Sequence, residues 1–328
     1  MNNFKLRFYV DPVLNEINFS NENNWMIELI NTPEFKCLNR IHQLGVTYII
    51  FPSATHNRLS HSLGAFEIVR RFIKHLNLDK INSSESKHLL CAALLHDLGH
   101  GPNSHAFERY TGVNHEEYTK KFILDKNTNI HKILVKHGIN PNEVVNILQQ
   151  KSKNKWATDL IDSQIDGDRM DYLLRDSHYT GASYGIINPA YIINGSVLIN
   201  NRVCFVMKAL AEVENLLLGR FHMYKQIYSN ANSIKYEKDS IIKKLLAAYY
   251  DESLISVKEV QTQQKVKNNF LEGYYTTKPI DIYHTGRGDE IFMYDDVNKK
   301  VYELSEVSII IKKLMNTRYK FIYQIKIK

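Results

Sequence analysis

One stretch constrains this chain more than any other. Leu89-Leu90-Cys91-Ala92-Ala93-Leu94-Leu95 is apolar on every side of a helix and runs directly into His96-Asp97. A helix that is oily all round has to be buried on all its faces. Glu85 to about Leu98 is therefore expected to be the central helix of a mainly α core, started by Asn82-Ser83-Ser84 and ended by Gly99 and Gly101-Pro102. A carboxylate and an imidazole at the end of such a helix need a partner to offset their desolvation. A metal ion ligated by both is one solution. His100 follows one turn beyond His96 on the same face, and His105 a few residues later. A capped helix end with His100 and His105 at the surface is the plainer alternative, and at this point it stays open.

The rest of the chain reads as helices first and strands later. His61 to Leu76 repeats apolar residues at helical spacing. Further helices are expected around residues 116–124, 129–137, 141–150 and 167–176. Val46 to Phe51 crowds β-branched and aromatic residues before Pro52 and reads as a strand. Ser196 to Met207 reads as a hairpin turning at Asn200-Asn201, with two or three helices over roughly 208–270. Beyond that, Ile280–Tyr283, Glu290–Tyr294 and Val301–Leu304 read as strands and Ser305–Met315 as a helix. Phe321, Tyr323, Ile325 and Ile327 alternate like a half-buried strand. The expected organisation is a helical domain over 1–278, with its chemistry in about 40–230, and a small α+β subdomain over 279–328.

Composition excludes more than it selects. With 44% hydrophobic and 23% charged residues the chain is ordinary globular material, not disorder or coiled coil. No apolar run approaches the roughly 18 residues that cross a bilayer, and the first residues lack the apolar stretch of a secretory signal. Three scattered cysteines make neither a disulfide framework nor a zinc ribbon, so a cytoplasmic protein without a membrane partner is expected. The net charge of +7 suits an anionic partner, but a Lys-, Asn-, Ile- and Tyr-rich composition carries such a charge anyway. Two more segments carry chemistry. Arg58 and His61 sit at a helix start, where phosphate is attracted. Asp168, Tyr172 and Asp176 share one stripe of a helix, although a solvated, salt-bridged face with Arg169 and Arg175 explains those charges equally well.

Taken together, these residues resemble a known family. The order His61, then His96-Asp97, then Asp168 is similar to that of HD-domain metal phosphohydrolases. The surrounding words, Phe51-Pro52-Ser53-Ala54-Thr55-His56-Asn57-Arg58-Leu59-Ser60-His61, His96-Asp97-Leu98-Gly99-His100-Gly101-Pro102-Asn103-Ser104-His105 and Asp166-Gly167-Asp168-Arg169-Met170-Asp171-Tyr172, resemble its dNTP triphosphohydrolase branch. The resemblance runs in order from about Thr32 to Tyr228. It implies an HD-domain helical core in which His61, His96, Asp97 and Asp168 hold a divalent metal: Mn, Fe, Mg or Zn. His105 would give a proton to the leaving 5′-oxygen and Glu108 would orient it, with His100 and His115 completing the pocket. Arg58, Arg169 and Arg220 would contact a triphosphate. Tyr172 and Asp176 would line the sugar and phosphates, with Gln43 and Asp176 on the 3′-hydroxyl. Leu44 and Tyr228 would leave no room for a 2′-hydroxyl.

The reaction so implied is dNTP plus water to deoxynucleoside plus tripolyphosphate, in a homo-oligomer (dimer, tetramer or hexamer). Nucleic-acid binding is a secondary expectation. There are departures. Regulated members of the family carry Asp, Gln and Arg where this chain has Asn31, Lys36 and Asn39, which puts a guanine-nucleotide activator in question, and Ser229 replaces a Gln near the base. Two alternatives stay beside this reading. One is an HD phosphohydrolase acting on a nucleoside monophosphate, a cyclic nucleotide or a modified nucleotide. The other is a non-catalytic protein that binds nucleotides or single-stranded nucleic acid, which 20 tyrosines would permit. Preferred base, native metal and biological purpose are not legible.

Overall fold

The computed structural model describes residues 8–19, 22–230, 232–234, 236, 255–259, 272–276, 280–315, 318–319 and 322–327. A hairpin, β1 (Phe8–Asp11) and β2 (Asn15–Asn18), opens the chain, followed by two short helices, α1 (Met26–Ile30) and α2 (Pro33–Lys36). The long α3 (Arg58–Leu76) leads through α4 (Leu78–Ile81) to α5 (Ser83–Leu95). Then come α6 (His105–Thr111), α7 (His115–Leu124), α8 (Asn129–Lys136), α9 (Pro141–Leu148) and α10 (Lys155–Asp159). Next are α11 (Gly167–Thr180), α12 (Pro189–Asn194), the strands β3 (Ser196–Ile199) and β4 (Arg202–Val206), and α13 (Leu210–Met223).

Side-chain caps set most of these boundaries. Asn57 accepts from the Ser60 N–H to start α3, Asn82 from Glu85 to start α5, and Asp166 from Arg169 to start α11. α5 is buried from Leu89 to Leu95 without a break. It packs on α3, and α3 packs in turn on α11. These three helices are the frame of the site.

Several expectations need correction. Val46–Phe51 is not a strand: Thr47–Ile49 is a 3₁₀ turn whose amides bond locally, Ile49 N–H to the Val46 carbonyl at 3.1 Å and Phe51 N–H to Thr47 at 3.0 Å. β-branched residues here reflect burial of Val46 and Thr47 rather than a ladder. The central helix stops at Leu95, and His96 is its C-cap. The expected helix over 305–315 is two, Leu304–Val307 and Ile309–Leu314, because the Ser308 hydroxyl accepts from the Ile311 N–H and starts a new one. Among the described residues of 208–270, α13 and its extension are helical, and β5 (Ile255–Glu259) is a strand. Residues 237–254 and 260–271 lie outside the described residues.

The remaining strands are β6 (Glu272–Thr276), β7 (Ile280–Asp281), β8 (Phe292–Asp295), β9 (Lys300–Glu303), β10 (Arg318–Tyr319) and β11 (Ile322–Ile327). The Ser196–Met207 hairpin is present, with Asn200 and Asn201 both at positive φ (49° and 63°), as a tight two-residue turn requires. Its β4 pairs in parallel with β8, Cys204 opposite Phe292, in a sheet ordered β3-β4-β8-β9. A second sheet runs β5-β11-β6, all antiparallel. Phe321 and the expected boundary near 278 fall outside the described residues. Ile282, Tyr283, Ile291, Met293 and Leu304 share one hydrophobic cluster with the helices.

Phe66 of α3 is fully buried and stacks on Phe19, ring centroids 4.8 Å apart, which ties the N-terminal segment to the core. Phe66→Ala is expected to cost about 3–5 kcal/mol of stability, read as a lower urea midpoint at unchanged slope.

Candidate metal centre

Three elements aim their ends at one point. α3 brings His61, the C-cap of α5 brings His96 and Asp97, and the first turn of α11 brings Asp168. His61 Nε2 lies 2.9 Å from Asp168 Oδ1, 3.5 Å from Asp97 Oδ2 and 3.2 Å from His96 Nε2. His96 Nε2 is 3.5 Å from both Asp97 Oδ1 and Asp168 Oδ1. The other ring nitrogens settle what these atoms are. His61 Nδ1 faces Asp171 Oδ2 at 2.8 Å and His96 Nδ1 faces the Ala93 carbonyl at 2.9 Å, and both of those oxygens can only accept. Each Nδ1 therefore donates, which leaves each Nε2 as the atom that faces the other ring and the two carboxylates. With both rings neutral, two Nε2 lone pairs and two carboxylates gathered here fit a divalent cation, and two imidazoles with two carboxylates suit a transition metal.

The charges say the same. Burial drives the His61 imidazole toward neutrality, but Asp168, Asp171 and Asp97 outweigh it and push its pKa up to about 10. Burial alone would raise the Asp97 carboxyl, and Arg58, His96 and His100 instead hold it well below the usual range. Asp168 is likewise held low against its burial by His61 and His96. The site demands positive charge.

Around the ligands lies a shell that sequence reading did not single out. Asp171, fully buried, is gripped by Arg175 through Nε at 2.9 Å and Nη2 at 2.8 Å. Arg175, also fully buried, reaches Asp11 Oδ2 at 2.8 Å with Nη1. The alternative of a solvated face at Arg175 gives way to a dry ion network. Gly64 makes it possible: a Cβ there would lie 1.8 Å from Asp171 Oδ1. The sequence signals were present but weak, an Asp and Arg four apart and a Gly three after His61.

On the other side, His100 does not continue the helix. The chain turns, with the His100 N–H bonding the Asp97 carbonyl at 3.1 Å, and this brings His100 Nε2 to 3.3 Å from Asp97 Oδ1. The His100 ring stacks on His115 at 3.8 Å, and burial together with Arg58 keeps it neutral. Glu108 holds His105 Nδ1 at 2.7 Å and His115 Nδ1 at 2.5 Å, and its pKa is lowered by these partners despite burial. His105 itself is exposed, with its ring beside those of His100 and His115. Arg58 is buried, donates to Asp97, and bonds Ser104 Oγ at 2.9 Å. Asn103 and Ser104 both have positive φ (63° and 55°), so strained backbone places that hydroxyl and His105.

A wall of tyrosines adjoins the ligands along α11. Tyr172 is 6.5 Å from His61, ring to ring, and its hydroxyl accepts from Arg220 Nε at 3.2 Å. Arg220 also donates to the Asp281 carbonyl at 3.4 Å and lies 5.2 Å over the Tyr224 ring. α13 ends in a π-turn, Tyr224–Tyr228, a wound-open geometry that often marks functional sites. It sets the Tyr228 hydroxyl 2.7 Å from Asp176 Oδ2. Burial raises both phenol pKa values, so both hydroxyls stay protonated. Asp176 Oδ1 accepts from His56 Nε2 at 2.7 Å, and the Gln43 N–H bonds the His56 carbonyl at 3.0 Å. Gln43 Oε1 is buried and has no hydrogen-bond partner among the described residues; the same holds for Arg169 Nη1. Leu44 is half-buried against the core.

Residues 58–176 match the HD domain family. An uncharacterized protein of Mycoplasma genitalium is 41% identical over 248 residues, 70% of this chain and 58% of that one. The deoxynucleoside triphosphate triphosphohydrolase SAMHD1 homolog of Dictyostelium discoideum is 27% identical over 230 residues, 63% of this chain and 43% of that one. This chain thus spans about half the length of these curated relatives. The crystal structure of a phosphohydrolase from Bacteroides thetaiotaomicron shares the fold, with a TM-score of 0.79 at 22% identity over 98% of this chain and 99% of that one.

If the four converging groups hold an ion, chelation should lower the melting temperature and Mn²⁺ should restore it. At an ion concentration of 100 times Kd the gain is about 2.7 kcal/mol. Asp168→Asn is expected to abolish that gain, and its persistence would remove Asp168 from the ligand set. Gly64→Ala should displace Asp171 and show the same loss of bound metal by elemental analysis.

Proposed function

With residues 58–176 an HD domain, we propose that this chain is a metal-dependent deoxynucleoside triphosphate triphosphohydrolase, converting dNTP and water to deoxynucleoside and tripolyphosphate. The observation that carries the reading is the stripe along α11. Asp168 stands at the metal set, Tyr172 one turn on holds Arg220, and Asp176 another turn on holds Tyr228. A cation site, a guanidinium and an aromatic wall in that order suit a phosphate chain ending in a sugar. The name borne by the Dictyostelium relative supports the same substrate class.

The bound ion, on His61, His96, Asp97 and Asp168, would supply Lewis acidity at the α-phosphoryl group and make a water more acidic. The chain's own residues do the rest. Arg220 is held by a phenol and a carbonyl, and Arg169 has an Nη1 without a partner among the described residues, so both can turn donors to phosphate oxygens. Arg58 acts at closer range, through the Asp97 ligand it grips. Glu108 fixes Nδ1 of His105, which leaves Nε2 to give a proton to the leaving 5′-oxygen. His100 and His115 keep that side of the pocket in place. Gln43 Oε1 is the free acceptor for a 3′-hydroxyl. Both Asp176 oxygens are already taken by His56 and Tyr228, so Asp176 contributes by holding the Tyr228 wall. That wall and Leu44 would exclude a 2′-hydroxyl. Asn31 is exposed and its amide bonds the Ile27 carbonyl, while Asn39 bonds Asn57, so neither presents a carboxylate or guanidinium to an activator.

Incubation with each dNTP singly, in Mn²⁺ or Mg²⁺, is expected to yield deoxynucleoside and tripolyphosphate on ion-exchange chromatography, without added GTP. Pyrophosphate as product, or no turnover by protein with metal bound, would overturn the reading. Turnover only with GTP would keep the chemistry and overturn the activator-free expectation. Arg220→Ala should raise KM about tenfold or more, equivalent to about 1.4 kcal/mol, with metal content unchanged.

A further inference from the structure

We propose that Asp11, on the N-terminal hairpin, is a positioning residue for the metal ligand His61, acting through Arg175 and Asp171. The inference rests on the metal set alone and not on the choice of substrate. Four side chains from three elements form one unbroken line: Asp11 Oδ2 to Arg175 Nη1 at 2.8 Å, Arg175 Nε to Asp171 Oδ2 at 2.9 Å, and Asp171 Oδ2 to His61 Nδ1 at 2.8 Å. Every member is buried, at 5%, 0%, 0% and 1% exposure in that order.

Charge is what makes the line more than packing. Arg175 carries one positive charge and faces two carboxylates, so the dry network has one negative charge left over. That remaining charge is turned toward His61 Nδ1, on the side of the ring away from Asp97 and Asp168. An outer carboxylate on the far nitrogen of a ligand histidine fixes the ring and raises its basicity. Here Asp171 is in turn fixed by a guanidinium whose remaining arm is held by Asp11.

The two oxygens of Asp11 have separate tasks. Oδ1 accepts from the Val13 and Leu14 N–H groups at 2.9 and 2.8 Å and shapes the hairpin turn, while Oδ2 takes Arg175. The hairpin is also docked on α3, since Arg71 donates to the Leu14 and Glu16 carbonyls and Glu67 accepts from the Asn18 N–H. Docking of the hairpin and orientation of His61 are thus properties of the same carboxylate. Because coupling between two equilibria is reciprocal, metal binding must stabilise the docked hairpin as much as docking strengthens the metal.

The test uses the full chain and Co²⁺ as probe, with affinity from chelator competition and ligand geometry from the visible d–d bands. Outer-shell changes of this kind weaken a metal about 10–100-fold. Asp171→Asn should fall in that range, and Asp11→Asn should weaken Co²⁺ about tenfold and alter the bands. A lower melting temperature of metal-free Asp11→Asn, with a Co²⁺ dissociation constant within twofold of wild type and unchanged bands, would reduce Asp11 to a structural role. Should Asp11→Asn fail to fold, hydrogen exchange on the wild type decides. Slower exchange at Phe8–Asn18 on adding Co²⁺ supports the coupling, and unchanged exchange overturns it. A wild-type chain that binds no Co²⁺ would overturn the metal centre and this proposal together.

Discussion

Two imidazoles and two carboxylates gathered at the ends of three packed helices are the constraint on which the rest of this structure depends. His61 and His96 lie 3.2 Å apart at their Nε2 atoms, each comes within 3.5 Å of Asp97 and of Asp168, and their Nδ1 atoms are turned away toward Asp171 and Ala93. Such a cluster is stable only with positive charge at its centre and rigid support behind each ligand. The three packed helices provide the rigidity. α5 ends where its last cap residue becomes a ligand, α11 begins with one in its first turn, and Gly64 lets α3 and α11 approach until Asp171 can pass to His61.

The support is unequal on the two sides. Behind His61 stands a network of fixed charge, Asp171, Arg175 and Asp11, entirely shielded from water. Behind Asp97 stands a stack of imidazoles, with His100 against His115 and His105 beyond, gathered on Glu108 and open to solvent at His105. The closed side suits holding an ion, and the open side suits moving protons. Strain at Asn103 and Ser104 lies on the open side, where a residue has to be presented rather than packed.

How much of this was legible follows from what each feature depends on. The helix over His61–Leu76 was readable because its apolar residues repeat at helical spacing, and that started by Asn82 because a cap is local chemistry. The turn at Asn200-Asn201 was readable for the same reason. The convergence of His61, His96, Asp97 and Asp168 was suggested by a charge pair at the end of an apolar helix and by a family resemblance. Val46–Phe51 misled because β-branched residues mark burial as readily as strands. Arg175 misled because an Asp and Arg four apart look alike whether the face is wet or dry, and only Gly64 and Asp11, far away in sequence, decide which. His56 was invisible as a support for Asp176 because nothing local ties the two.

The parallel seam between β4 and β8 has a consequence for how this molecule comes into being. Val203, Cys204 and Phe205 are buried, yet their strand gains its second neighbour only when Phe292–Asp295 arrive from far along the chain. Until then β4 presents an apolar strand with one open edge, a template for another chain. Pairings of such long sequence separation close late, because the entropy of bringing distant parts of the chain together is lost before the contact offsets it. During synthesis the helical frame can assemble while the sheet waits. The hazard for this protein is therefore one of timing: translation that stalls between α13 and β8 leaves the helical half built and its sticky edge uncovered.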